Sequence, residues 1–444
     1  MMDLLKKVVD KGDLLGASQV EVYAGHVLSK TVVAEKGEIK MALASRSRGA
    51  GIRVLYKGGI GFAYTTSLSK EALEETIKKA IKVAETRGKD PYYKTFPSPQ
   101  QTLSVKGLFF KETAEFPLDE MVEKVRYMVG MARNFDKRIT SVASEFSISC
   151  GERFLVNSLG IESSEKYSLS TISVYSVAED KGTMTSGYEF QNERDIRKLD
   201  YERVANVAAK MSIELLHPRK IETNVMEVLL KPIAVSQLIR PTLIRAVSAD
   251  NVQEKRSFLI DKLGKQVTVE ELTIVDNPLL EEGLRSRSFD AEGVASRELK
   301  VVENGVLKTF LYNSYTAQRA GVENTGHADR SVTSEPAIAP SNLIFEHKVK
   351  KDLEDLISET EKGVIANSVI GAHTANPVTG EFSVALGECM YIENGEIKYP
   401  VRQAMVGGNV LQLLGKIKCI GRDVRQVGSV ITGTAVFEEV TVSG

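Results

Sequence analysis

The turn Glu393-Asn394-Gly395 constrains the fold of this chain more than any other stretch. Asn-Gly between strand-like runs selects a tight hairpin, because both central residues must take positive φ. Upstream, Phe382, Val384 and Leu386 alternate with polar residues, as a strand with one buried face requires. A polar loop from Gly371 to Gly380 feeds that strand and carries His373, Asn376, Pro377 and Thr379. Polar loops on a rigid sheet are common seats of binding, so His373, Asn376 and Thr379 are site candidates. The run VVENGVLKTF, starting at Val301, echoes YIENGEIKYP, starting at Tyr391. Two hairpins of like build in one β-rich domain are the reading; one echo is too little for a solenoid.

At 444 residues the chain exceeds one ordinary core, so two domains are expected. The polar run His217 to Thr223 divides them into 1–217 and 224–444. The first half reads as a helix over 2–14, then strands separated by turns at Lys36-Gly37, Arg48-Gly49 and Lys57-Gly58-Gly59. Such spacing favours an antiparallel meander. Helices follow at 69–86, with Ser69 as N-cap and Leu73, Ile77, Ala80 and Ala84 on one face, and at 117–134. Strands run from 139 to about 190, turning at Asn157-Ser-Leu-Gly160, and a charged helix spans about 192–216. In the second half a strand ends at Leu230 and Pro232 opens a helix that Pro241 should kink or stop. Further helices are expected at 351–362, capped by Gly363, and near 408–417. The expected class is α+β: an N-terminal antiparallel meander with packing helices, and a C-terminal domain of antiparallel hairpins with a few helices.

A net charge of −1 without a basic patch argues against nucleic acid as a partner. No uncharged apolar run is long enough for a membrane span, and the charged first residues do not read as a leader. Cys150, Cys389 and Cys419 form no CxxC pair, which fits a reducing cytoplasm. No two of the five histidines lie within four residues, so no helix presents an HExxH pair. A GxSxG elbow and a phosphate loop are also missing. His327 and Asp329 stand two apart, and as metal ligands they would need His373, Asp290, Glu292 or Cys389 brought in by the fold. Asp290 and Glu292 are also two apart, as a carboxylate pair or as a turn with Gly293.

Several blocks occur together in the C-terminal half: Phe258 to Gln266, Ser288-Phe-Asp-Ala-Glu-Gly293, Glu303-Asn-Gly305, Thr325-Gly-His327, Val378 to Ser383, Ile392 to Pro400, Gly407-Gly-Asn409 and Gly421-Arg-Asp423. In this order they resemble the TldD/PmbA family, and within it the PmbA (TldE) branch. That resemblance implies a cytoplasmic zinc-metalloprotease system of two related subunits acting on unfolded peptides. The TldD-type subunit carries HExxxH and a late cysteine, with the glutamate as general base on zinc-bound water. Here the corresponding slot falls at about Pro241 to Ala246, with Pro241, Thr242, Arg245 and Ala246 in it, and Val427 stands in the cysteine's place. The resemblance therefore implies a non-catalytic partner with no cofactor of its own, zinc residing in the TldD-type subunit. The loops at 286–293, 325–330 and 371–383 would line a peptide cleft through Asp290, Glu292, His327, Asp329, His373, Asn376 and Thr379. The alternatives are an active peptidase with a rearranged site at His327, Asp329, His373 and Cys389, and a homodimeric peptide-binding module.

Overall fold

Six long antiparallel strands form the first half of the chain, in a computed structural model that describes all 444 residues. They are β1 (Gln19–Glu35), β2 (Glu38–Tyr56), β3 (Gly59–Thr65), β4 (Ile139–Asn157), β5 (Glu162–Asp180) and β6 (Thr183–Glu193), in the order β3-β2-β1-β4-β5-β6. Lys36-Gly37, Lys57-Gly58 and Lys181-Gly182 close three of the hairpins, each with positive φ at both residues. The twist of such turns matches that of the strands they join.

Even-numbered residues of β1 face the helices. Val20, Val22 and Ala24 join Ala50, Ile52 and Val54 of β2 under α1 (Met2–Leu14) and α2 (Lys70–Arg87). Farther along the same face, Val32, Phe146, Ile148, Ile172 and Val174 pack with helices at 118–135 and 201–214. Ser69 caps α2 by accepting from the Ala72 N–H. Odd-numbered Glu21, Tyr23, Arg53 and Leu155 therefore point the other way, toward the C-terminal half.

Two expectations in this half need correction. No turn exists at Arg48-Gly49; β2 runs through it unbroken. These glycines serve close approach instead, since a Cβ on Gly49 would lie 2.7 Å from the Thr65 carbonyl oxygen, and one on Gly51 2.6 Å from that of Val332. The helix expected from about 192 begins at Tyr201, because β5 pairs residues up to Glu193. Asp200 starts the helix by accepting from the Arg203 N–H.

In the C-terminal half, five strands close on themselves: Asn224–Leu230, Lys362–Ile370, Glu381–Glu393, Met405–Asn409 and Ala435–Ser443. Period-two alternation sorts their side chains. Val228, Leu230, Val364, Ala366 and Phe437 enter the main core, while Leu229, Ile365 and Val436 face a smaller outer cluster. Most pairings are antiparallel, but 363–366 runs parallel to 227–230. Both Asn-Gly hairpins form, with Asn304, Gly305, Asn394 and Gly395 at positive φ. The helix expected over 351–362 shrinks to Leu353–Ser358, because Lys362 and Gly363 pair with Glu393 and Ile392. That near 408–417 covers only Val410–Leu414, flanked by strands at 405–409 and 417–421. No helix is long and apolar enough to cross a membrane.

Candidate functional site

Pro232 opens a helix that ends at Ile239, two residues before Pro241. Proline cannot donate to the ladder, and Thr242 leaves helical geometry at φ −108°, ψ −90°. The chain resumes only as a single turn, Leu243–Ala246. Ser236 Oγ donates to the Val427 carbonyl at 3.1 Å, and Gln237 Oε1 accepts from the Val369 N–H at 2.7 Å. Gln237, Arg240, Pro241, Gly371 and His373 line one open cleft of about 440 Å³. The fold thus gathers His373 with Pro241, and Val427 with Ser236. Thr242 and Ala246 are buried while Arg245 is exposed, so these three share no face toward the cleft.

Zinc takes imidazole, thiolate or carboxylate. The cleft offers an amide, a guanidinium, a proline and one histidine, and the Val427 segment offers a hydroxyl and a carbonyl. This set does not fit zinc. The rearranged site also fails to assemble: no three His, Cys, Asp or Glu side chains are grouped so that they could hold a metal ion. Asp329 pairs with Arg285 at the surface. Cys389 lies in the core, where burial pushes its thiol up to about 12. Asn376 and Thr379 are exposed on the same loop as His373 but are not among the residues lining the cleft, and both already shape their own loop. Asn376 Oδ1 accepts from the Val378 and Thr379 N–H groups, and Thr379 Oγ1 donates to Glu381.

Asp290, Glu292 and His327 do not line the cleft that holds His373. They are 0%, 0% and 1% exposed, in the seam where the sheet's second face meets the C-terminal half. Phe289 and Ala291 pack there against Tyr23, Leu155 and Ile161, and Ser288 N–H donates to Glu165 of β5. Arg53 of β2 binds Glu21 through two nitrogens at 2.9 and 3.0 Å, and its third lies 2.8 Å from Glu292 Oε1. Arg330 reaches the same Glu21 from the C-terminal half and covers the Tyr23 ring at 4.6 Å. Burial drives Glu21 toward protonation, but Arg330 and Arg53 outweigh it and hold the carboxyl below its ordinary range.

Asp290 is a loop hub that accepts the N–H groups of Glu292, Val294 and Ala328. Burial first, and then the Glu292 charge, raise its carboxyl to about 6. His327 is satisfied on both nitrogens, by Thr325 Oγ1 at 2.9 Å and Asp276 Oδ1 at 3.1 Å. Burial opposes ionisation of Asp276, but His327 and Ser341 prevail and keep it low. Glu21, Arg53, Arg330 and Asp276 were not singled out from the sequence. Their only local signal is a charge set between apolar strand residues, as in Val20-Glu21-Val22 and Ile52-Arg53-Val54, which also describes a solvated face.

Family models match three successive segments: "PmbA/TldA metallopeptidase domain 1" over 20–84, the "central domain" over 111–216 and the "C-terminal domain" over 223–444. An uncharacterized protein of Methanocaldococcus jannaschii is 32% identical over 394 residues, 88% of each chain. The metalloprotease PmbA of Escherichia coli O157:H7 is 28% identical, over 96% of this chain and 92% of that one. Among solved structures, TldE from Thermococcus kodakarensis superposes with a TM-score of 0.93 at 26% identity, covering 99% of this chain and 100% of the other. Three models in chain order, together with relatives that align nearly end to end, place this chain in the PmbA/TldD metallopeptidase family, on its PmbA (TldE) branch.

Proposed function

We propose that this chain is the non-catalytic subunit of a cytoplasmic two-subunit peptidase, pairing with a TldD-type relative that carries the zinc. Its substrates in that complex are unfolded peptides. The observation that carries the reading is a pair of juxtapositions, Ser236 of the 232–239 helix bonded to Val427, and Pro241, just beyond that helix, lining one cleft with His373. The His-Glu-x-x-x-His slot that the resemblance puts at about Pro241 to Ala246 holds Pro241, Thr242, Arg245 and Ala246. Val427 then occupies the late cysteine's place against the same helix. Each position holds a side chain poor in zinc affinity, and none has a carboxylate to take a proton from water.

What this chain supplies is a surface. His373 lines the open cleft and Asn376 and Thr379 stand exposed on the same loop, where the amides of an extended peptide would pair with polar loop groups. Mixing the purified chain with a TldD-type protein should give a stable mixed complex by size exclusion. That complex should hydrolyse an unfolded peptide and be stopped by a chelator, while this chain alone does neither. Chelator-sensitive hydrolysis by the chain alone overturns the reading, as does failure to form the mixed complex.

A further inference from the structure

The two edges of the six-stranded sheet differ. Arg425 of the C-terminal half holds β6, donating to the Phe190 carbonyl and pairing with Glu189. At the other edge β3 pairs only with residues 50–56 of β2. The preceding run of β2 therefore has β1 on one side and no strand on the other. Every residue from Lys40 to Arg48 is exposed. The β1–β2 ladder slips by one residue at Lys40, which leaves Met41 to Arg48 as eight regular residues with an open edge. Backbone N–H and C=O groups along such an edge are a template for another strand.

We propose that this edge takes an extended acidic segment of a second protein as an added strand. Ala42 lies opposite the core residue Val32, so period two puts Ala42, Ala44, Arg46 and Arg48 on the helix side and Met41 and Leu43 on the other. Arg48 stands opposite His26 of β1, and Arg46 opposite Leu28. These four residues and Leu68 line an open pocket of about 710 Å³ at the edge, and no carboxylate lines it. Glu152, the acid in the same cross-strand row, stands opposite His26 on β4, farther from the edge. Neither Arg46 nor Arg48 makes an ion pair within the chain. The charge therefore selects the occupant. An added strand sets its side chains directly opposite those of β2, where opposite charges stabilise and like charges repel. Carboxylates two residues apart would meet Arg46 and Arg48, and apolar residues between them would extend the Met41 and Leu43 side. A second copy of β2 would bring Lys40, Arg46 and Arg48 to the same edge with Glu38 as its one acid, so self-pairing is disfavoured. Main-chain hydrogen bonds supply the affinity of such an added strand, and the opposed charges its selectivity.

Fluorescence anisotropy of the full chain with a short labelled peptide alternating valine and glutamate tests this. That peptide should bind saturably and protect amides within 41–48 from hydrogen exchange. Its counterpart with lysine for glutamate should not bind, nor should the glutamate peptide with every backbone amide N-methylated, which cannot donate to the ladder. Combining Arg46→Glu with Arg48→Glu should weaken binding about ten-fold by opposing like charges, at unchanged Tm, since both side chains are exposed. Absence of saturable binding overturns the assignment, as does equal binding by the lysine or N-methylated peptide. Binding that the double variant spares and His373→Ala abolishes would put the peptide in the cleft, and overturns it too. Protection of 41–48 that rises with protein concentration, without peptide, would mean that a second copy takes the edge instead.

Discussion

The seam and the cleft each hold a histidine on a glycine-bounded polar loop, yet they are physically opposite. In the seam Asp290, Glu292 and His327 are buried and every ionised group has an oppositely charged or N–H partner close by. On the cleft's loop His373, Asn376 and Thr379 are exposed, and the side-chain bonds of Asn376 and Thr379 stay within that loop. Burial separates them. A carboxylate removed from water persists only when its counter-charge is fixed beside it, so the seam must be rigid. An exposed histidine keeps its polar atoms for whatever enters. A charged loop motif therefore says little about function until the opposing surface is known.

The widest break in that comparison should come from Arg53→Met. It leaves Glu292 without its ion-pair partner and Glu21 with Arg330 alone, a loss of about 3–5 kcal/mol in chemical denaturation. A change no greater than that of a surface arginine would mean that the seam is wet. Next comes Gly51→Ala. Its Cβ would meet the Val332 carbonyl at 2.6 Å and the Phe62 ring at 2.9 Å, so about 1–3 kcal/mol should be lost through overpacking.

Proton linkage sharpens the contrast further. Asp290, raised to about 6, stabilises the fold while protonated, and that contribution is lost as pH rises through 6. Glu21 and Asp276, held low, act in the opposite sense: their contribution is present above about pH 4 and disappears as pH falls below it. Carboxyl-carbon NMR should show Asp290 titrating near 6 in the native chain. Glu292→Gln should move that midpoint down, since it removes the neighbouring negative charge. A midpoint near the ordinary aspartate value would contradict the dry seam.

Locally determined features were legible from the chain alone. Ser69 caps its helix, the Asn-Gly pairs turn, Pro241 lies beyond the end of a helix, and Phe382, Val384 and Leu386 bury one face. Each depends on a few neighbouring residues. What stayed hidden depends on a surface distant in sequence. Arg48-Gly49 has turn composition, but Val332, nearly three hundred residues on, needs that backbone bare. Glu21 and Arg53 alternate like solvent-facing strand residues, and only the 286–293 and 326–332 loops convert their face into an interior. For the same reason Asp290, Glu292 and His327, expected along a cleft, are buried in the seam, while His373 is exposed on a loop that nothing covers.

The smallest expected stability change belongs to that residue. His373 is exposed, its ring makes no hydrogen bond within the chain, and it sits in a short helical turn held by the Thr374 hydroxyl on the Gly371 carbonyl. His373→Ala should therefore leave unfolding unchanged within about 0.5 kcal/mol. Within the mixed peptidase complex the same substitution should raise KM for an unfolded peptide and leave kcat unchanged, because a residue that only holds backbone contributes equally to ground and transition states. A fall in kcat at unchanged KM would place His373 at the reacting bond instead. Neither parameter moving would mean that peptide passes along another wall, and the cleft beside Pro241 would then lose its claim to substrate.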